Sequence, residues 1–179
     1  MRKCPTIPAL AFMILAATAA PAADSAPLLT NTEWLNDWQV TRQFTIAVAE
    51  KMPEESYSFK PSPEEMNFAQ LMMHIGASSV FRFEQLTGTK SGITANVLKA
   101  SPKAGVIKYL NECFDYVLRA LPTVTPEQLT RMYKVDWVGR PEVNGRQMML
   151  GMFVHTAHHR GQAEVYLRLK GVQPPAYTF

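Results

Sequence analysis

The four histidines of this chain fall in two places. His74 stands alone, while His155, His158 and His159 crowd into the run His155-Thr156-Ala157-His158-His159-Arg160-Gly161-Gln162. His155 and His159 are four residues apart, so on an α-helix they stack on one face with side chains about 5–6 Å apart, near enough to grip one ion. His74 is the remaining histidine that can complete the set. Neutral imidazole suits zinc, nickel, iron or copper, and three of them on two helices form one face of a coordination sphere with positions left for water and substrate. Because such ligands are uncharged, the ion keeps its full charge, which makes it a strong Lewis acid and brings the pKa of a bound water toward about 7.

The neighbouring residues read less sharply. His158 points about 100° round the helix from His159, which leaves it as a hydrogen-bond partner of the ligands, a proton carrier or a flank residue. The spacing of His155 and His159 matches zinc peptidases, but residue 156 is Thr where that motif needs a glutamate base, so a peptidase of that type is rejected. Gln162 either hydrogen-bonds a ligand imidazole or turns to backbone. Arg160 either attracts an anionic substrate or pairs with a surface carboxylate, and the surface pair is the expectation. Cys113 reads as a small buried apolar residue rather than a nucleophile, and Met148, Met149 and Met152 as core filler. Glu65 and Glu84 are candidate general bases with no spacing argument behind either.

Four segments of helical periodicity must position these groups. The first opens at Thr30, with Glu33 three residues on as a capping box, and ends before Pro53. Its inner stripe is Trp34, Trp38, Thr41, Thr45, Val48 and Met52. The second starts at Asn67 and stops at Gly88, with Phe68, Leu71, Met72, Ile75, Ser79 and Phe83 at helical spacing. The third follows a Ser101 cap with Pro102 at the first helical position and runs to Leu121. The fourth runs from Asn144 to Lys170 and closes on Gly171 in a left-handed conformation. Its seam, counted in steps of three and four, is Met148, Met152, His155, His159, Gln162, Tyr166 and Leu169, which puts polar residues in the middle of a core-facing stripe. No segment alternates strictly enough to claim a sheet, although Lys134 to Val138 fits a short strand or an extended loop. The expectation is an all-α four-helix bundle. Its links, around 54–66, 88–101 and 122–143, are long enough for at least one to cross the bundle and join parallel neighbours.

At 179 residues the chain can bury a core without disulfides or structural metal. Arg2 and Lys3, the apolar stretch Ile7 to Ala20 and the small residues from Ala17 to Ala23 read as a signal peptide over 1–23, leaving a domain over 24–179. The stretch is short for a membrane span, which needs roughly 20 apolar residues. Cys4 precedes it, which argues against a lipid anchor. The protein is thus expected to be exported, periplasmic or secreted, with no membrane span after cleavage. Of 18 basic and 15 acidic residues, Arg2 and Lys3 belong to the leader, so 16 basic residues face 15 acidic ones and the net charge is +1. No basic stripe marks a nucleic-acid partner. After cleavage Cys113 is the one remaining thiol, so no intrachain disulfide is possible.

His74 in the second helix, the run His155 to Gln162 and the ending Tyr166-Leu167-Arg168-Leu169-Lys170-Gly171-Val172-Gln173-Pro174-Pro175 together resemble the DinB/YfiT-like family, over residues 30–179. The resemblance implies a four-helix bundle in up-down-down-up order and a divalent metal, zinc or nickel, held by three histidines. Carried over, the ligands fall on His74, His155 and His159, while His158 is the member of the pair that does not normally ligate. Members with known activity look like transferases or isomerases that use a low-molecular-weight thiol, and many others are described as metal-dependent hydrolases. Dimers are common, so a homodimer is implied. Export distinguishes this chain: small cytosolic thiols are scarce outside the cytoplasm. The expectation is therefore a metal-dependent hydrolase of a small molecule, with thiol transfer, or a non-catalytic metal- or ligand-binding module, as the alternatives.

Overall fold

A computed structural model describes residues 30–94, 102–137 and 139–177. The leader over 1–23 and the Ser101 cap lie outside the described residues. Four long helices carry the fold: α1 (Asn31–Lys51), α2 (Phe68–Thr87), α3 (Lys103–Ala120) and, after a one-turn helix α4 (Pro126–Thr130) and a hairpin of β1 (Met132–Trp137) and β2 (Arg140–Asn144), the helix α5 (Gly145–Leu169). Among the described residues no helix is long and apolar enough to cross a membrane.

Local chemistry sets the boundaries. Thr30 and Glu33 cap α1 reciprocally, as Asn67 and Gln70 do for α2, Thr125 and Gln128 for α4, and Asn144 and Gln147 for α5. Each box satisfies two backbone donors that the first turn of a helix leaves without partners. In α3 the N-cap is Pro102 itself, one residue inside the position expected, with no side-chain cap bond. Gly88 ends α2 at φ +74°, and beyond α5 Gly171 sits at φ +72° while the Val172 N–H reaches back to the Leu167 carbonyl at 2.9 Å. Both are left-handed stops that only glycine adopts freely.

Contacts along the helices fix their directions. Lys103 at the start of α3 donates to the Glu50 and Met52 carbonyls at the end of α1, and Asn31 at the start of α1 donates to the Val124 carbonyl just past α3. Those two helices are antiparallel. Between α2 and α3, Gly76 meets Cys113 and Phe83 meets Tyr116, so they run parallel. Between α2 and α5, Tyr166 bonds the Met66 carbonyl while Leu86 approaches Gly145, an antiparallel pair. Trp34 meets Phe153 and Phe44 meets Arg160, which makes α1 and α5 parallel. The order is up-down-down-up, with α1 and α2 each packed on both α3 and α5.

Two glycines permit the closest approaches. A Cβ on Gly76 would lie 3.0 Å from Cys113 Sγ, so the Cys113 and Tyr109 side chains would have to give way, and one on Gly145 would lie 2.8 Å from the Leu129 Cα, backbone that clears it only if α4 shifts from α5. In the core Trp38 packs Phe114 at 5.0 Å and Phe153 at 5.1 Å between ring centroids.

The bundle is all-α as expected, and the hairpin beside it places a strand over most of Lys134 to Val138, where a short strand or an extended loop was expected. β1 and β2 pair antiparallel, with Met132 opposite Asn144, Tyr133 opposite Val143, Lys134 opposite Glu142 and Trp137 opposite Arg140. Among its described side chains Val135 and Val143 are buried, too few to print an alternating pattern in the sequence. The seam of α5 also needs correction. Met148, Met152 and Tyr166 are buried as expected, but His155, His159 and Gln162 lie half-buried at the margin facing α2, Leu169 is exposed, and Met149, Thr156, Arg160, Ala163 and Leu167 complete the buried face. The first stripe likewise omitted Phe44, which is buried, while Trp34 and Thr41 are half-buried.

Candidate metal centre

The site forms where α2 crosses the middle of α5. On α2, His74, Ser78 and Arg82 are spaced four apart and share one face; on α5, His155, His159 and Gln162 do the same at spacings of four and three. Antiparallel packing brings the two stripes together. The ring centroids of His74, His155 and His159 lie 4.4 to 4.9 Å apart, and one ligating nitrogen from each falls within 4.8 Å of the other two. His74 Nε2 and His155 Nε2 approach to 3.2 Å. Two nitrogens on one tetrahedral ion at ordinary zinc–nitrogen lengths lie about 3.3 Å apart, so this spacing fits a shared cation.

The electrostatics keep the rings neutral. Burial lowers the His74 pKa, helped by His159 and Arg82. His155 is brought down to about 3, first by burial and then by the Arg82 charge and the neighbouring imidazoles. His159 is also lowered, mainly by burial. Neutral rings present lone pairs, the form that binds metal. Orientation comes from Gln162, whose Oε1 lies 2.7 Å from His159 Nδ1. A carbonyl oxygen accepts, so Nδ1 carries the hydrogen and Nε2 is left with its lone pair.

Other candidates fall elsewhere. His158 is exposed, its ring 4.8 Å from that of His159 and outside the triad. Arg160 has no close ion pair among the described residues, though Glu164 acts on it at longer range: it is buried with its guanidinium 4.3 Å over the Phe44 ring, because position 160 turns toward α1. Cys113 is buried against Gly76, and burial pushes its thiol up to about 12, which leaves it unreactive. Glu84 is committed to the Ser91 N–H and hydroxyl and to Lys90, shaping the chain after α2. Glu65 instead lines a cleft of about 350 Å³ with Pro61, Ser62, Gln162, Val165 and Tyr166.

Ser78 and Arg82 were not anticipated. Ser78 Oγ lies 3.4 Å from His155 Nε2, and Arg82 donates to both the hydroxyl and the carbonyl of Ser78, the latter at 3.2 Å. Their signal was available: both follow His74 at one-turn steps.

A model of the DinB superfamily matches residues 37–163. The chain belongs to that superfamily. The uncharacterized protein YjoA of Bacillus subtilis is 25% identical over 130 residues, which span 73% of this chain and 84% of YjoA. A crystal structure of a DinB-like protein from Bacillus cereus superposes with a TM-score of 0.69 at 19% identity, covering 82% of this chain and 97% of that one. The crystal structure of YjoA gives 0.64 at 23% identity over 81% and 97%. At these identities the two structures establish the DinB-like fold. With that membership, a triad of neutral imidazoles is a group that can hold a metal ion.

Proposed function

We propose that this DinB-superfamily chain is a metal-dependent hydrolase of a small molecule, with His74, His155 and His159 holding one divalent ion, zinc or nickel. The observation that carries the reading is the convergence of three imidazole nitrogens from two antiparallel helices within 4.8 Å. An ion in such a site supplies a Lewis acid and a water acidified to a pKa of about 7. The residues supply the rest. Gln162 holds His159 in the ligating tautomer, and the cleft beside it, about 350 Å³, suits a small molecule rather than a polymer. Glu65 at that cleft is the carboxylate this reading assigns to proton transfer. Burial of Cys113 favours water over a protein thiol as the nucleophile. Export through the 1–23 leader belongs to the same proposal, as it favours hydrolysis over transfer to a cytosolic thiol.

The test is the metal content of the purified mature protein beside His155→Ala and His159→Ala, followed by a panel of ester, amide and thiol-conjugation substrates with and without chelator. One equivalent of metal in the wild type and less than a tenth in each variant is expected, with chelator-sensitive ester or amide cleavage. Metal that persists in both variants overturns the ligand assignment. Turnover untouched by chelator overturns the hydrolase reading, and metal binding without any turnover leaves a binding module.

A further inference from the structure

We propose that the outward face of α5 is an interface between two copies of this chain, each laying its α5 antiparallel on the other about an axis between residues 159 and 160. The inference stands apart from the metal reading and begins with which residues meet water. The exposed positions of α1 include Glu33, Asn36, Gln39 and Gln43, and those of α3 include Lys108, Glu112 and Arg119, ordinary solvated faces. From Leu150 to Val165, α5 instead exposes Leu150, Val154, Ala157, His158, Gly161 and Val165, with no carboxylate, ammonium or guanidinium among them. Leu150, Val154, Val165 and, one turn further, Leu169 are each between 51% and 59% exposed. Phe81, also exposed, widens the patch at one end. It follows His74 by two turns and shares its side of α2, and because Leu86 approaches Gly145 in the antiparallel pair, Phe81 lies level with Leu150.

The order of these residues selects a second copy over another partner. A two-fold interface must be self-complementary, with residue i on j and j on i. The outward seam runs Leu150, Val154, His158, Gly161, Val165, Leu169, and its spacings of four, four, three, four and four read the same in reverse. Turned end for end on itself, it sets Leu150 on Leu169, Val154 on Val165 and His158 on Gly161 of the other copy. The nearby charges of Glu164 and Arg168 already pair with each other at 3.8 Å along the helix. Gly161 supplies the socket. A Cβ there would meet nothing within 4 Å, so nothing in its own copy calls for a glycine at a position where glycine weakens the helix. An imidazole seated on it from the second copy does. The area also suffices: Phe81, Leu150, Val154, Val165 and Leu169 offer roughly 400 Å² of apolar surface per copy, and at about 65% apolar character a homodimer interface built on them buries roughly 1,200 Å² in total, where stable interfaces begin. Val165 also lines the cleft of about 350 Å³ beside Gln162, so Val154 of the second copy comes down on the rim of that cleft.

The test is sedimentation equilibrium of the mature protein beside Val154→Glu, Val165→Glu and, on another face, Lys108→Glu, with helix content checked by circular dichroism. Wild type and Lys108→Glu should dimerise with a micromolar Kd, and each seam variant should dimerise at least about tenfold more weakly, because it buries an unpaired carboxylate. Register is read by disulfide formation, for which the buried Cys113 is out of reach. Val154→Cys alone and Val165→Cys alone should not cross-link, since eleven residues of helix hold the like positions about 16 Å apart along the seam, whereas an equal mixture of the two should. A wild type that stays monomeric at hundreds of micromolar overturns the proposal, and so does a dimer that neither glutamate weakens. Val154→Cys cross-linking to itself overturns the antiparallel register. Should both glutamate variants fail to fold, a mixture of the cysteine variants that does not cross-link overturns it instead. A monomeric wild type that co-sediments with vesicles of phosphatidylethanolamine and phosphatidylglycerol, and loses that binding in Val154→Glu, gives the face to a membrane surface and overturns the second copy as its occupant.

Discussion

Two clusters of flat rings meet on α5, two residues apart, and they use nearly the same packing geometry to opposite ends. Phe153 joins Trp34 and Trp38 with centroids 5.1 Å away, and Trp38 meets Phe114 at 5.0 Å; His155 joins His74 and His159 at 4.9 and 4.4 Å. In the first cluster Trp38 and Phe114 are sealed, at 0% and 1% exposure, Trp34 and Phe153 are half-buried, and the ring edges are hydrocarbon apart from the indole N–H groups. Its value is the apolar surface removed from water. In the second the rings are half-buried, and the edges that face each other are nitrogens 3.2 Å apart. Ring spacing therefore does not distinguish a core from a site. The polarity of the converging edges does.

That contrast predicts separable losses. The largest effect belongs to Trp38→Ala, which removes a fully buried indole and should lower the unfolding free energy by about 3–5 kcal/mol in chemical denaturation. The metal bound per folded molecule should not change. Loss of metal from the folded fraction of Trp38→Ala would show that the two clusters act as one and break the comparison. A smaller and opposite effect is expected of Gln162→Ala. It removes the acceptor that fixes His159 and should weaken metal binding about 10- to 100-fold in a chelator competition. Its melting temperature without metal should be close to that of the wild type, since Gln162 is half-buried at the margin of α5. Gln162→Glu should retain tight binding, because a carboxylate also accepts from Nδ1. If Gln162→Ala holds metal as tightly as the wild type, orientation of His159 comes from packing alone.

How these regions appear in the sequence follows the same division. The long helices were legible because their ends are written in residue types: Thr30 with Glu33, Asn67, Gly88, Asn144 and Gly171 all sit where the helices begin or stop. The triad was legible because histidine is rare here and its spacing restrictive. The hairpin was legible in part, as the short strand or extended loop at Lys134 to Val138; among its described side chains Val135 and Val143 are the buried ones, too few for a clear alternation. The inner face of α5 was legible at Met148, Met152 and Tyr166 but not in its middle, because Thr156 and Ala163 carry too little hydrophobic signal to mark it. Arg160 misled because a buried guanidinium needs an aromatic face to rest on, and Phe44 comes from a helix more than a hundred residues away in sequence. Arg82 belongs to the same class. Its one-turn spacing after His74 and Ser78 is written in the sequence, but its place near His155 depends on α2 lying antiparallel to α5.

The smallest expected effect sharpens the comparison by pH, since only the second cluster titrates. In the metal-free protein His155 is held near pKa 3, and His74 and His159 are also lowered from the ordinary 6.5. Below 6.5 the unfolded chain takes up protons that the folded one refuses, so the unfolded form binds more of them and stability must rise with pH across this window. The contribution is fully present above about 6.5 and is lost as pH falls toward 3. Carboxylates with lowered values, such as Glu33 and Glu84, begin to act only below their usual 4.5. The interval from about 6.5 to 4.5 therefore belongs to the imidazoles. Urea midpoints of the metal-free wild type should fall across that interval, and those of His155→Gln should fall less, whereas Phe153→Leu, altered in the dry cluster, should keep the wild-type slope at lower overall stability. Parallel pH profiles for wild type and His155→Gln would mean that the triad does not hold its rings neutral, and the half-buried nitrogens would then differ little from surface histidines.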